Sequence, residues 1–143
     1  MNVTQISVFV ENKTGRLSAV TGALAGAGID IRAVSISDTT EFGILRMIVN
    51  DPDRACEVLR ANNFTISVTE VIAAEIDDRP GALNSAIGQL CGANISVEYI
   101  YAFLNPLDGK AAVLFKVDDN RLAVKVLTEN GVTLLDDSRI RSL

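Results

Sequence analysis

Two short segments carry residue types that could bind a small charged molecule. They are residues 11–17 (ENKTGRL) and 77–83 (DDRPGAL), and each joins a predicted strand to a predicted helix. The first N–H groups of a helix have no partner inside the helix, and the helix dipole is positive there. A small carboxylate can therefore bind at such a point. Gly15 and Gly81 have no Cβ, which would let a ligand approach the backbone closely.

A hydrogen-bond acceptor stands beside each of these predicted anion sites. Asn12 precedes the first helix and Asp78 precedes the second, and both side chains suit an ammonium group. A carboxylate site next to an ammonium site is what a free α-amino acid requires. A tight strand-to-helix turn with an ordinary cap is the alternative, and the residues alone favour that plainer interpretation.

Other kinds of site are excluded by composition. The chain has no histidine, which removes Ser-His-Asp and Cys-His catalysis and histidine-ligated zinc. Cys56 and Cys91 form no CxxC motif, so we interpret them as small apolar fillers in a reducing compartment. The acidic pairs 118–119 and 136–137 are typical of helix caps or solvated residues rather than metal ligands. We expect no metal and no cofactor.

Length and charge limit the partners. The 143 residues, 48% of them apolar, suit a chain with an ordinary aliphatic core. The net charge of −5 and the absence of a Lys/Arg cluster argue against nucleic acid and against an anionic membrane surface. No signal peptide and no apolar run long enough for a membrane span is visible, so we expect a cytoplasmic protein.

The chain contains one unit twice. Residues 11–36 align without gaps on residues 77–102, at an offset of 66, and seven of these 26 positions are identical. The offset becomes 68 after a turn-like stretch at 105–109, a place where insertions are tolerated. The identical pairs include both loop glycines and the helix glycines: Gly15/Gly81, Leu17/Leu83, Gly22/Gly88, Leu24/Leu90, Gly26/Gly92, Ala27/Ala93 and Ile29/Ile95.

Hydrophobic periodicity and turn residues give both copies the same order of elements, strand-helix-strand-strand-helix-strand. The first copy is predicted to have strands at 4–10, 30–37, 43–50 and 65–69, and helices at 14–27 and from 51–53 to about 62. The second is predicted to have strands at 70–76, 95–104, 110–117 and 132–135, and helices at 80–93 and 120–130.

This order predicts an α+β fold of two tandem ferredoxin-like βαββαβ units, each an antiparallel sheet with its helices on one face. We place the units at 1–69 and 70–143. Phe9, Val34 and Ile36 stand out of register with the other apolar residues of their strands, so both faces of the sheet are partly apolar. The helix-free face must then be covered by the other repeat or by another subunit, and we expect a homodimer.

The two loops and the segments 28–31 (GIDI) and 94–97 (NISV) resemble the ACT domain family. ACT domains are ferredoxin-like regulatory modules that bind amino acids, found in phosphoglycerate dehydrogenase, aspartate kinase and the acetolactate synthase regulatory subunit. The resemblance covers essentially the whole chain as two ACT units with no catalytic domain.

The resemblance also implies ligand-binding residues. In this family the first loop of one unit faces a strand or loop of a neighbour. Asn12 and Asp30 match the positions that contact ligand, and the second copy has Asp78 and Ser96 there. The first copy retains the Asn and is the slightly preferred binder, although it has Thr14 where Pro is usual. The full set of expected ligand-binding residues is Asn12, Lys13, Thr14, Gly15, Arg16, Leu17, Asp30, Asp78, Pro80, Gly81, Ala82, Leu83 and Ser96.

We therefore expect a non-catalytic regulatory protein that binds a free L-amino acid and modulates a partner metabolic enzyme. Two alternatives remain: a regulatory or association subunit that binds no ligand, and an acylphosphatase-type hydrolase on the same scaffold. The hydrolase would use an arginine such as Arg16 or Arg79 to hold phosphate, but the sequence offers no nucleophile–base pair.

Overall fold

The structure is a computed structural model that describes residues 2–11, 13–38, 42–104 and 108–143. Asn12 and parts of the predicted turns at 38–41 and 105–109 lie outside the described residues. The elements, in chain order, are β1 (Val3–Glu11), α1 (Arg16–Gly26), β2 (Ile31–Asp38), β3 (Phe42–Val49), α2 (Pro52–Ala61), β4 (Thr65–Asp77), α3 (Ala82–Gly92), β5 (Val97–Ala102), β6 (Lys110–Val117), α4 (Asn120–Glu129), β7 (Thr133–Leu135) and α5 (Asp137–Arg141).

The strands form one sheet in the order β2-β3-β1-β4-β6-β5, with β7 also paired to β4, and all these pairs are antiparallel. Each half of this sheet carries two helices and has the βαββαβ order that the sequence predicts. The predicted fold class, two tandem ferredoxin-like units, is confirmed.

Strand β4 belongs to both units. Its residues 65–71 pair with β1, and residues 72–77 pair with β6. The sequence predicts two strands here, ending and beginning between residues 69 and 70, whereas the structure has one strand of 13 residues. No turn residue interrupts this segment, so nothing in the chain forces it to bend out of the sheet.

Each unit has its own core between its helices and one face of the sheet. In the first unit, Ile6 and Val8 of β1 pack with Leu24 of α1 and Leu59 of α2. In the second, Phe115 packs with Leu90 and Leu127 of the equivalent helices. Val34 lies against the first core, because a register shift between Ile31 and Ala33 in β2 turns it toward the helices.

A third core joins the two units. It contains Val3, Ile48 and Val71 from the first half of the sheet and Ala73, Ala112 and Leu114 from the second, with no residue from α1 to α4. The chain closes around it where Ala33 forms a bridge with Phe103 and the Leu104 N–H donates to the Arg32 carbonyl at 2.8 Å. Within one chain, then, each repeat covers part of the helix-free face of the other.

Two tyrosines and a glutamine form a polar cluster beside this third core. Gln5, fully buried, donates from Nε2 to the Tyr99 hydroxyl at 2.8 Å, and its Oε1 accepts from the Tyr101 hydroxyl at 2.6 Å. The Arg46 guanidinium lies over the Tyr99 ring, 4.0 Å from its centre. The burial of a glutamine is tolerated because both ends of its side chain are hydrogen-bonded.

Aspartates cap the three helices α2, α4 and α5. The caps of α4 and α5 come from the acidic pairs 118–119 and 136–137, which the sequence analysis interprets as caps or solvated residues. Asp119 accepts from the Leu122 N–H at 3.0 Å and Asp136 accepts from the Arg139 N–H at 2.9 Å. The second of these caps begins α5, a helix that the sequence analysis misses. Asp137 accepts from both the N–H and the hydroxyl of Thr4, which fixes this last helix to β1 of the first unit.

Candidate functional site

The two loops that carry the predicted ligand residues have the same backbone shape. Gly15 and Gly81 are the N-cap residues of α1 and α3, and both have φ 89°. This left-handed conformation is costly for a residue with a Cβ, which explains glycine at both positions. Neither cap has a side-chain hydrogen bond to the helix, so donors at each helix start remain open.

The open donors are backbone N–H groups. At the start of α1 the N–H of Arg16 donates to the Lys13 carbonyl at 3.2 Å, and the N–H of Ala19 donates to the Gly15 carbonyl at 2.9 Å. Among the described residues no group accepts from Leu17 or Ser18. The start of α3 repeats this arrangement. Each helix therefore presents two adjacent N–H donors to a carboxylate.

Ion pairs hold both loops. Lys13 Nζ lies 3.1 Å from Glu11 Oε2 in the first loop. In the second, Asp77 binds both Arg79, at 3.3 Å, and Lys110. The Lys110 hydrogen bond and charge, with a smaller contribution from Arg79, lower the pKa of Asp77, and Asp77 in turn raises the pKa of Lys110. Asp77 is thus shared by two cations, Arg79 in its own loop and Lys110 at the start of β6.

Apart from Ala82, which is buried, and Arg16, which is half-buried, the other described loop residues of the predicted set lie at the surface. Thr14, Asp78 and Pro80 are exposed, and the Asp78 N–H donates to the Gly109 carbonyl at 3.3 Å. Leu17 and Leu83 occupy equivalent places in the first turns of their helices and are exposed apolar side chains.

Asp30 and Ser96 lie away from the loops of their own units. Each follows the far end of a helix, and α1 with its 11 residues spans about 16 Å. Both positions serve to hold strands: the Asp30 N–H donates to Asn50 Oδ1 at 2.9 Å, and the Ser96 N–H donates to Asp118 Oδ1 at 3.0 Å. Within one unit, the structure does not bring the loop and this position together.

The two loops are also distant from each other. Phe9, just before the first loop, pairs with Thr65 at one end of β4, whereas the second loop follows Asp77 at the other end. Twelve residues of strand separate these ends, which corresponds to about 40 Å. The chain therefore carries two separate candidate sites.

Each loop borders a cleft between the first helix of its unit, the end of a strand and the turn after the second helix. The unit-1 cleft, lined by Phe9, Glu11, Arg16, Phe42, Phe64 and Thr65 among others, has a volume of about 160 Å³. The unit-2 cleft, lined by Glu75, Arg79, Ala82, Gln89, Lys110 and Thr133 among others, has a volume of about 250 Å³. The repeat offsets of 66 and 68 place the two clefts at equivalent positions.

Their linings differ. In the unit-1 cleft the Arg16 guanidinium lies over the Phe64 ring, 5.0 Å from its centre, and Phe42 closes a further side. In the unit-2 cleft the residues equivalent to Arg16 and Phe64 are Ala82 and Val132, so much smaller side chains leave the space open.

Sequence reasoning misses most of the unit-2 cleft. Of its lining, only Ala82 is in the predicted set, while Arg79, Gln89, Lys110 and Thr133 are not. The signal that could have found them is the difference between the copies, because Gln89 aligns with Ala23 and Lys110 with Phe42. A polar residue that replaces an apolar one at the same cleft position needs a reason.

The family is decided by comparison with known proteins. A family model described as an ACT domain pair matches residues 1–143. The chain is a member of the ACT domain pair family. The predicted resemblance is thereby confirmed, and ACT domains are regulatory modules.

Solved structures agree with this ACT assignment. Protein BT0572 from Bacteroides thetaiotaomicron is 38% identical, with a TM-score of 0.93 over 100% of this chain and 98% of that one. The regulatory subunit of aspartate kinase from Thermus thermophilus, in its ligand-free form, is 14% identical, with a TM-score of 0.63 over 88% of this chain and 90% of that one. Aspartokinase alpha and beta subunits are 19% identical, with a TM-score of 0.59 over the same shares. The last two likenesses show the fold. A search of curated protein sequences finds no match.

Two further features bear on what this ACT pair could hold. Within the described ranges, no three His, Cys, Asp or Glu side chains are grouped as a metal site would require. In the same part of the chain, no helix is both long enough and apolar enough to cross a membrane.

Proposed function

We propose that this ACT pair is a non-catalytic regulatory protein that binds a free L-amino acid and thereby modulates a partner enzyme of metabolism in the cytoplasm. The observation that carries the proposal is the repeated helix start. Left-handed Gly15 and Gly81 each precede two N–H groups that have no acceptor among the described residues. Such donors suit the carboxylate of an amino acid.

Association of two chains would complete the surface around these loops. Asp30 and Ser96 can reach a loop only on another unit or chain, because a whole helix separates each from the loop of its own unit. Leu17 and Leu83, which are 45% and 36% exposed, offer apolar area beside the loops for such a contact. We propose a homodimer on these grounds.

The proposal is tested by thermal unfolding of the purified chain with each of the twenty amino acids at millimolar concentration. A ligand at 100 times its Kd adds about 2.7 kcal/mol to the free energy of unfolding. For a chain of this size the melting temperature should rise by about 5–10 °C with one or two amino acids. No rise with any of the twenty would contradict ligand binding and favour a module that serves association only.

The loop is then tested by calorimetric titration with the amino acid so identified. Asp78→Ala and Asn12→Ala each remove an acceptor for the ammonium group, and we expect about tenfold weaker binding in at least one. Glu57→Ala, an exposed acidic residue on α2, is the matched control and should bind normally. Unchanged affinity in both loop variants would contradict a role for these acceptors.

A further inference from the structure

We infer that the amino acid lies in the unit-2 cleft, once per chain, and that the chain's own Arg16 fills part of the unit-1 cleft. This inference rests on the proposed function and adds to it the place and the number of bound ligands. The unit-2 cleft is built by a single chain, so binding there does not require a second copy.

The first step is the asymmetry between the clefts. Arg16 begins α1 and its guanidinium lies over Phe64, so this side chain occupies the space between the helix and the turn after α2. Ala82 begins α3 at the equivalent place and leaves that space empty. A ligand entering the unit-1 cleft would have to displace a cation–aromatic contact, whereas the unit-2 cleft is open.

The second step is an unpartnered acceptor. Gln89 lies on the face of α3 that lines the unit-2 cleft, and its Oε1 is buried with no hydrogen-bond partner among the described residues. A buried acceptor without a donor is costly, and native proteins seldom leave one. A hydrogen-bond donor of an amino acid bound in the cleft would satisfy this acceptor. The first unit has Ala23 at this position and makes no such demand.

The third step is the distribution of charge. Four charged residues line the unit-2 cleft, Glu75 and Asp77 against Arg79 and Lys110, and their formal charges cancel. Asp77 binds both cations, and the Arg79 and Lys110 side chains remain partly exposed. The lining therefore offers cations, carboxylates and an unpaired acceptor, which suits the charged and polar groups of an amino acid.

The volume of the cleft, about 250 Å³, gives a free amino acid room to enter. Ser85, Asn130 and Thr133 also line the cleft and offer hydrogen bonds to a polar side chain.

The test is calorimetric titration of the full chain with the amino acid that raises its melting temperature most. We expect one molecule bound per chain. Ala82→Arg reproduces in the second unit the side chain that fills part of the first cleft, and it should weaken binding at least tenfold. Cys91→Arg adds the same charge to an exposed position in the last turn of α3, away from the helix start and outside the cleft lining, and should bind within about twofold of the parent chain.

Gln89→Leu tests the acceptor and remains informative if Ala82→Arg does not fold. It replaces the amide, and with it Oε1, by an apolar side chain of similar size, so binding should weaken by about tenfold. Circular dichroism of each variant confirms that the fold is intact before titration.

The outcomes separate this inference from the proposed function. Two molecules bound per chain, or unchanged affinity in folded Ala82→Arg or Gln89→Leu, would overturn the unit-2 cleft while amino-acid binding stands. If none of the twenty amino acids binds, both proposals fail.

Discussion

Left-handed backbone positions are where single residues govern this chain most directly. The turn after each of the helices α1 to α4 has such a position, and it is occupied by glycine or asparagine. Gly28 has φ 72° and its counterpart in the second unit, Asn94, has φ 60°. After the second helix of each unit the order is reversed, with Asn63 in the first unit and Gly131 in the second. Asparagine and glycine are the residues that adopt this conformation most readily. The exchange between copies shows that the backbone shape, rather than the side chain, is what both units need.

Gly28→Ala measures the cost of that shape without interference from packing. A Cβ at Gly28 would meet no heavy atom within 4 Å, so the substitution adds backbone strain alone. We expect the free energy of unfolding to fall by about 1–2 kcal/mol in urea denaturation. Gly22→Ala is the control, since Gly22 lies inside α1 with equal space and no positive φ, and it should be neutral or stabilising. Equal stability of the two variants would contradict this account.

Residue patterns predict the loops well and the clefts poorly. The loop glycines are visible in the sequence because a glycine between a strand and a helix has few other uses. The unit-2 cleft depends on residues from four elements, such as Gln89 on α3 and Thr133 on β7, and their proximity follows from sheet order and from the small size of Ala82. No local pattern contains that information.

Among the elements, β5 carries a contact that joins the two halves of the sheet. Its Tyr101 hydroxyl donates to buried Gln5 of β1, which lies in the other unit. Alternating aromatic residues predict that Tyr99, Tyr101 and Phe103 share a face, and the structure packs Tyr101 and Phe103 against the third core. Burial raises the pKa of Tyr101 above its ordinary value of 10.0, with a smaller contribution from Tyr99.

This shift predicts how stability depends on alkaline pH. Below pH 10 the Tyr101 hydroxyl is protonated in both states, so its contribution is fully present. As the pH rises above 10, the unfolded chain releases this proton while the folded chain keeps it, so the free energy of unfolding falls. Tyr101→Phe should be about 1–3 kcal/mol less stable at pH 8, because Gln5 Oε1 loses its donor. In urea denaturation at pH 11 the difference should be smaller. An unchanged difference would show that Tyr101 does not titrate in this way.

At the scale of the whole molecule, the two units are held together by a strand and a core that both of them share. Strand β4 forms part of both halves of the sheet, and the third core takes side chains from each half. The sequence predicts two units and partly apolar faces, which is enough to require a cover for the helix-free faces. It cannot choose between the other repeat and another subunit, because that choice depends on whether the chain curls until Ala33 reaches Phe103.

Because the two units share β4 and the third core, we expect them to unfold in a single transition. The two tyrosines both lie in the second unit, so their fluorescence reports that unit, while Cys56 is buried in the first and its thiol pKa is raised by that burial. In urea, the change in tyrosine fluorescence and the reaction of Cys56 with a thiol reagent should have the same midpoint. Cys91→Ser removes the exposed thiol for this measurement. Two separated midpoints would mean that the units unfold independently.

A strand shared in this way also sets an order of events during synthesis on the ribosome. Once residue 71 has emerged, the first unit has all four of its strands, and the remainder of β4 follows as the direct continuation of a strand already paired. The second unit then does not have to find its first strand by a random search, because that strand is already extended and anchored at one end. Its later strands β6 and β7 have a template on which to pair, which shortens the time that their unpaired edges are exposed to other nascent chains.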